Sequence, residues 1–413
     1  MNSVEKQLGE TFIVERIGYK HSLAITQKKS VYAWGNNEEG QCGVDLSEDY
    51  LDTPRKLNFP KIQKEEYIIN VLTGDCHSVA LTNKGTVYCW GINETGQCGV
   101  GESNEIYDRP TKVNFFDDLV DDMVIKISAG EYHTLALTTK GSVYCWGENT
   151  EGQCGVGHAD GYFPTPIKIV QFNDTKIVDI SSGESHNLAL ADTGDVFCWG
   201  WNVNGQCGLG HNSKLVDHPT PISYFKSMND PICRIEIVDS TSCVISQKGV
   251  VYTWGSGLTI KEWRPLKSQT PFLSACLGGF YESMRFLMEQ HQIKVNSQDN
   301  NTFPIIEACK SGYIEVVQYL LKHKANINLK DSQGHTAIME ACKVDEEDIV
   351  ELLIVNGANL RVHSKTFETP LYNAIFYMIY LNVHLLLYHD ASLVYEQYSD
   401  GQSPLHIALS STF

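Results

Sequence analysis

The chain has 413 residues, 42% of them hydrophobic, and a formal net charge of −18. That is enough apolar material for one large or two ordinary globular domains, and it excludes a disordered chain. The charge divides as −12 over residues 1–265 and −6 over 266–413. Neither half offers the clustered Lys and Arg that nucleic acid or an anionic membrane requires, so neither partner is expected.

The opening "MNSVEKQLGE" lacks a charged-then-apolar signal pattern, and the apolar stretch "AIFYMIYLNVHLLLY" (374–388) is too short to span a bilayer and is broken by Asn382 and His384. A soluble protein of the cytoplasm is the expectation, with the nucleus open as the alternative. An odd count of 13 cysteines favours reduced thiols over a disulfide framework.

In chain order, the first feature is a tandem repeat. Trp34, Trp90, Trp146, Trp199 and Trp254 recur at spacings of 56, 56, 53 and 55 residues. Sixteen residues before each of the first four stands a glycine (Gly18, Gly74, Gly130, Gly183), followed three residues later by a histidine (His21, His77, His133, His186). Segments such as "SVALTNKGTVYCWG" and "TLALTTKGSVYCWG" hold two short apolar runs about a polar turn, the signature of a β-hairpin. Pro-containing pieces, "TPRKLNF", "RPTKVNF" and "TPIKIV", supply a further extended segment per unit. Short, evenly spaced strands without a helical period predict the blades of a β-propeller.

The pattern Gly-x-x-His, then Val-Tyr/Phe-x-Trp-Gly-x-Asn-x-x-Gly-Gln-Cys-Gly, resembles the regulator-of-chromosome-condensation repeat, and it covers residues 12–265. That resemblance implies a propeller, usually of seven blades in the family. Here four units are clear, and a fifth, "IEIVDSTSCVISQKGVVYTWGSG", has lost the Gly-His start and the Gly-Gln-Cys-Gly turn. Seven blades are therefore not supported. Five units fit either a small closed ring or an open arc, closure having the merit of removing two exposed sheet edges.

After "KEWRPLKSQ" the grammar changes. Ala275, Ala308, Ala341, Ala374 and Ala408 recur every 33 or 34 residues, which predicts an α-helical solenoid over 268–413. The segments "TPFLSAC", "FPIIEAC", "TAIMEAC", "TPLYNAI" and "SPLHIAL" resemble the ankyrin Thr-Pro-Leu-His-x-Ala start. Thr or Ser suits the helix cap and Pro the first turn. The inter-helix glycine at Gly279 and Gly312 is replaced by Asp345 and Met378, which predicts remodelled turns in those two units. The fifth unit stops at Phe413 after its first helix, which fits either a half-repeat cap or a piece of a longer protein.

Three sharper chemical readings fail against the repeats. "WGENTEGQCG" (146–155) nearly spells a phosphate-binding loop, but Gln153 and Cys154 replace the Lys and hydroxyl that chemistry needs, and the spelling recurs four times. It reads as a blade turn in which glycines take left-handed backbone and Asn and Gln satisfy the loop's own polar groups. The cysteines in register, such as Cys145 and Cys154, are nine apart rather than at zinc-ligand spacing, and read as small buried hydrophobes. The four histidines, one per unit, read as structural hydrogen-bonding groups rather than a metal ring. The acidic run "FDDLVDDM" (116–123) reads as a solvated loop, and "DEEDIVE" (345–351) as acids at a helix N-terminus. No catalytic constellation, cofactor site or metal site is expected.

The expected function is a non-enzymatic interaction scaffold with protein partners. By the ankyrin resemblance, contact falls to the hairpin tips: Asn300, Asn301, Ser332, Gln333, Lys365, Thr366, Ser399 and Asp400. The propeller resemblance implies a second possibility, guanine-nucleotide exchange on a small GTPase, since the family's founding member exchanges nucleotide on Ran through a wedge inserted where one blade turn would be. The four turns here have one length and no insertion, which weighs against it. A third possibility is a substrate adaptor of a ubiquitin ligase.

Overall fold

Six-residue runs such as "HSVALT" and "VYCWGI" become strands whose successive residues, pointing to opposite faces, are nearly all buried. In the computed structural model, which describes residues 10–17, 20–60, 62–101, 106–172, 174–226, 228–255, 270–291, 293–298, 301–395, 403–404 and 406, the chain divides into two compact units, 1–265 and 266–413.

Among the described residues the first unit holds five antiparallel sheets, each built from consecutive strands. Blade 1 comprises β1 (Phe12–Ile17), β2 (His21–Thr26), β3 (Val31–Asn36) and β4 (Tyr50–Lys56). Blade 2 comprises β5 (Ile68–Thr73), β6 (His77–Thr82), β7 (Val87–Ile92) and β8 (Ile106–Lys112). Blade 3 follows with β9 (Val124–Ala129), β10 (His133–Thr138), β11 (Val143–Glu148) and β12 (Tyr162–Lys168). Blade 4 has β13 (Ile177–Ser182), β14 (His186–Ala191), β15 (Val196–Trp201) and β16 (Leu215–Pro221). In blade 5 the described strands are β17 (Ile232–Val238), β18 (Thr241–Ser246) and β19 (Val251–Gly255).

Blades pack in chain order: β5 lies against β1 and β2, β9 against β5 and β6, β13 against β9 and β10, and β17 against β13 and β14. The cores lie between blades rather than within them. Trp90, Trp146 and Trp199 are fully buried, each worth roughly 4–6 kcal/mol by area transfer. The segment entering each blade supplies a phenylalanine to the tryptophan of that blade: Phe59 to Trp90, Phe116 to Trp146, Phe172 to Trp199 and Phe225 to Trp254, with ring centroids 5.6–5.8 Å apart. Phe116 thus belongs to the core, while the rest of the acidic run folds back on its blade: Asp122 accepts from the Thr139 hydroxyl and the Lys140 backbone.

In the second unit four helix pairs are described. They are α1 (Pro271–Leu277) with α2 (Tyr281–His291), α3 (Pro304–Ser311) with α4 (Ile314–Lys322), α5 (Ala337–Ala341) with α6 (Glu347–Val355), and α7 (Pro370–Phe376) with α8 (Tyr380–His389). The first helices stack as α1, α3, α5 and α7. Ala275, Ala308, Ala341 and Ala374 are all fully buried, so the absence of a larger side chain sets how closely they approach. Thr369 caps α7 by accepting from the Tyr372 backbone N–H, with Pro370 in the first turn.

The turn predicted to be remodelled at Met378 is not. Met378 takes the same left-handed backbone (φ 59°) as Gly279 (71°) and Gly312 (80°), so packing of α8 on α7 imposes a conformation its side chain resists. Asp345 keeps a negative φ; there α5 stops early and the turn is rebuilt.

Candidate functional site

Two register positions in each blade hairpin face each other across the strands. Ser78 pairs with Trp90, Thr134 with Trp146, Asn187 with Trp199 and Ser242 with Trp254. Being opposite, both side chains reach one acceptor, the Gln carbonyl in the turn of the preceding blade. Trp90 Nε1 and Ser78 Oγ donate to Gln41 O at 2.9 and 2.8 Å, and Trp146 and Thr134 donate to Gln97 O at 2.9 and 3.2 Å. Trp199 and Asn187 donate to Gln153 O at 2.8 and 2.9 Å, and Trp254 and Ser242 to Gln206 O at 2.7 and 3.0 Å.

The neighbouring strand residue points to the opposite face, towards the following blade. That residue is the repeat histidine. His21 reaches Ser78 at 2.6 Å, His77 reaches Thr134 at 3.1 Å, His133 reaches Asn187 at 2.8 Å and His186 reaches Ser242 at 2.9 Å. Because each hydroxyl spends its proton on a Gln carbonyl, and Asn187 its amide N–H, the oxygen facing the imidazole must accept, so the neutral rings carry their proton on Nε2. Burial pushes the four imidazoles down to about 3, 3, 4 and 3, so they are neutral at physiological pH. Blade 5 accepts this clasp but has Thr241 where the histidine stood. In blade 1, Trp34 stacks on Phe12 at 5.9 Å instead.

The turn that resembles a phosphate loop is consumed by itself. Gly152 N–H donates to Asn149 O, Gly155 N–H to Gly152 O, Glu151 N–H to Gln153 Oε1 and Cys154 N–H to Asn149 Oδ1, which leaves these donors no phosphate to serve. A Cβ on Gly155 would lie 2.9 Å from the Trp199 ring, and its φ of 64° is left-handed, so glycine is required there. The two cysteines in one blade, nine apart in sequence, meet: Cys145 Sγ lies 2.8 Å from Cys154 Sγ. Spacing alone gave no sign of this, because the turn doubles back on β11.

An acidic register also emerges at the loops leading into β6, β10, β14 and β18. Asp75 and Glu131 follow the repeat glycine, as does Glu184, and Asp239 sits at the corresponding corner of blade 5. Their loops are chained by Glu131 N–H to Glu184 O at 3.1 Å and Glu184 N–H to Asp239 O at 3.2 Å. Burial, then the like charges of neighbours, holds the Asp75 and Glu131 carboxyls above the usual range, with Lys20 opposing this at Asp75. The repeated Gly-Asp/Glu-x-His spelling carried this signal.

Of the expected ankyrin contact residues, Asn301, Ser332, Gln333, Lys365 and Thr366 are exposed. Successive tips are linked: Ser332 N–H donates to Asn301 O at 2.9 Å, and Lys365 N–H to Gln333 O at 2.7 Å. Asn300, Ser399 and Asp400 lie outside the described residues. Beneath the tips is an ion cluster that sequence reasoning missed. Glu340, nearly buried on α5, contacts Lys343 at 2.8 Å and His335 at 2.9 Å, and Glu368 lies 3.5 Å from His335 and 3.7 Å from Lys343. It ties two hairpins to one helix.

A groove of about 180 Å³ beside Lys140, Lys168 and Lys176 is smaller than small-molecule sites of ~300–1,000 Å³. Among the described residues, no group of three or more His, Cys, Asp or Glu could hold a metal ion, and no helix is long and apolar enough to cross a membrane.

Comparison with known proteins agrees with this geometry. A family model described as RCC1-like domain matches residues 3–229, and one for ankyrin repeats matches 255–331 and 272–364. The human protein named Probable E3 ubiquitin-protein ligase HERC6 is 31% identical over 239 residues, 58% of this chain and 23% of its own length. Ultraviolet-B receptor UVR8 of Arabidopsis thaliana is 28% identical over 243 residues, 58% of this chain and 52% of its own. The chain thus spans about a quarter to a half of these relatives. Among solved structures, human WBSCR16 aligns with a TM-score of 0.54 at 25% identity, covering 60% of this chain and 62% of that one. Yeast RCC1 (Prp20), solved with Kap60, aligns with a TM-score of 0.54 at 24% identity, covering 64% and 63%, which bears on the fold alone. RCC1-like and ankyrin repeats both point to protein–protein interaction. With its model matched over more than half of the sequence, the chain belongs to the RCC1-like domain family, and ankyrin repeats follow its blades.

Proposed function

We propose that this protein is a non-enzymatic adaptor, of the cytoplasm or nucleus, that holds protein partners on its two repeat units. The observation that carries this reading is the ladder of ankyrin tips: Asn301, Ser332, Gln333, Lys365 and Thr366 expose polar side chains on backbones hydrogen-bonded to one another. Such preorganised tips lose little freedom on binding, so their contacts convert efficiently into affinity. The acidic corners Asp75, Glu131, Glu184 and Asp239 favour a basic protein surface on the propeller unit, where like-signed carboxylates raise encounter rates.

Proximity labelling with the intact chain tests the reading. Gln333→Ala with Lys365→Glu is expected to deplete one set of neighbours, and Glu131→Lys with Glu184→Lys a second set. An unchanged neighbour list in both variants would refute it.

A ubiquitin-ligase adaptor is a narrower version, favoured by the similarity of the blades to HERC6. It requires that depleted neighbours lose ubiquitin conjugates when the chain is removed. Nucleotide exchange on a small GTPase is a competing version, tested by release of labelled GDP across a GTPase panel at micromolar protein.

A further inference from the structure

Three blades carry the same two cysteines side by side. One stands on the third strand, immediately before the tryptophan: Cys89, Cys145 and Cys198. The other follows the glutamine of the clasp turn: Cys98, Cys154 and Cys207. All six are fully buried. The Cys145 and Cys154 sulfurs are 2.8 Å apart. In the same register of their own blades, Cys89 acts on Cys98 and Cys207 on Cys198, each raising its partner thiol. Blade 1 breaks the pattern, with Ala33 on the strand and Cys42 in the turn, and blade 5 has Thr253 on its strand.

Ordinary hydrophobic packing requires a small side chain at each position, as Ala33 shows. It does not require thiol against thiol three times over. We infer that Cys89–Cys98, Cys145–Cys154 and Cys198–Cys207 are three sites of reversible oxidation to disulfides within single blades, with a peroxide as the oxidant.

The step balances. One sulfur attacks a peroxide oxygen, the O–O bond breaks, and a sulfenic acid and one water result. The partner sulfur then attacks the sulfenic sulfur, its hydroxyl leaves as a second water with the remaining thiol proton, and the S–S bond forms. Two S–H bonds are lost, and two electrons pass from the sulfurs to the peroxide.

Each link would close on the turn that holds the next blade. The strand cysteine of each pair lies next to the clasp carbonyl: Cys89 is 3.6 Å from Gln97 O, Cys145 3.7 Å from Gln153 O and Cys198 3.9 Å from Gln206 O. Oxidation therefore acts on the clasps into blades 3, 4 and 5 and spares the clasp from blade 1 into blade 2. Burial also raises the Cys98, Cys145 and Cys198 thiols, so reaction waits on opening of the turn and proceeds slowly.

The test treats the full chain with hydrogen peroxide, alkylates remaining thiols after denaturation, and maps non-reduced proteolytic peptides by mass spectrometry. The expected result is three intrablade links, each two hydrogens lighter, with alkylation of the six cysteines reduced about tenfold and that of Cys42 and Cys276, equally buried, unchanged. Dithiothreitol should restore all six. Cys145→Ala reproduces the Ala33 and Cys42 combination that blade 1 already tolerates, and should remove one link while leaving the other two. The inference is overturned if the six stay as alkylatable as Cys42, if links join cysteines of different blades, or if Cys154 remains linked in the Cys145→Ala chain.

Discussion

His133 Nε2 donates to the side-chain oxygen of Asn187 at 2.8 Å, and the Asn187 amide donates in turn to the Gln153 carbonyl at 2.9 Å. A single fully buried residue thus joins two features of the preceding blade. Asn187→Ala leaves a buried imidazole N–H unsatisfied and should lower stability by about 1–3 kcal/mol. Asn187→Ser, the residue used at Ser78 and Ser242, should restore most of it. Urea unfolding followed by tryptophan fluorescence measures both, since all seven tryptophans lie in the first 265 residues.

Indole donors separate the blades. Trp199→Phe removes a bond to Gln153 O from a fully buried site, whereas half-buried Trp34 in blade 1 rests on Phe12. The first substitution should cost about 1–2 kcal/mol more than Trp34→Phe. Equal losses in urea unfolding would show that the clasp bond contributes nothing.

The four histidines predict acid lability of the propeller. Their folded values lie near 3 to 4 against an ordinary 6.5, so the unfolded chain binds more protons between those limits. Their contribution is complete above about pH 6.5 and is lost as the pH falls, with a slope of up to about 1.4 kcal/mol per pH unit for each ring. Asp75 and Glu131, raised by burial, act in the opposite direction. Urea midpoints should fall from pH 7 to pH 5, and His133→Gln should flatten the fall. An unchanged slope in that variant would remove His133 as a source.

In the ankyrin unit, Lys343→Met leaves the carboxylate of Glu340 with less compensation in a nearly buried site. A loss of about 2–4 kcal/mol is expected in thermal unfolding followed by helical circular dichroism. The paired change Lys343→Met with Glu340→Gln should recover much of it.

Met378→Gly should stabilise the last described helix pair by up to about 1 kcal/mol, because φ 59° suits glycine and the methionine side chain is exposed. The same measurement checks it; a destabilised variant would show that Met378 contributes packing.

The sequence by itself determined both repeat periods, the hairpins within each blade, the helix pairs of the solenoid and the structural nature of the Gly-Gln-Cys-Gly turn. Those follow from patterns within 10 to 20 residues, where strand alternation, turn chemistry and capping act. Only the tertiary structure decided who touches whom between units. His133 finds Asn187 54 residues on, and Trp199 finds Gln153 46 residues back, because rotation from blade to blade brings opposite faces of neighbouring sheets together. The same limit hid the thiol pairs and the Glu340 cluster: each depends on where a turn closes in space. Met378 shows the converse, since its backbone is set by helix packing against its own preference.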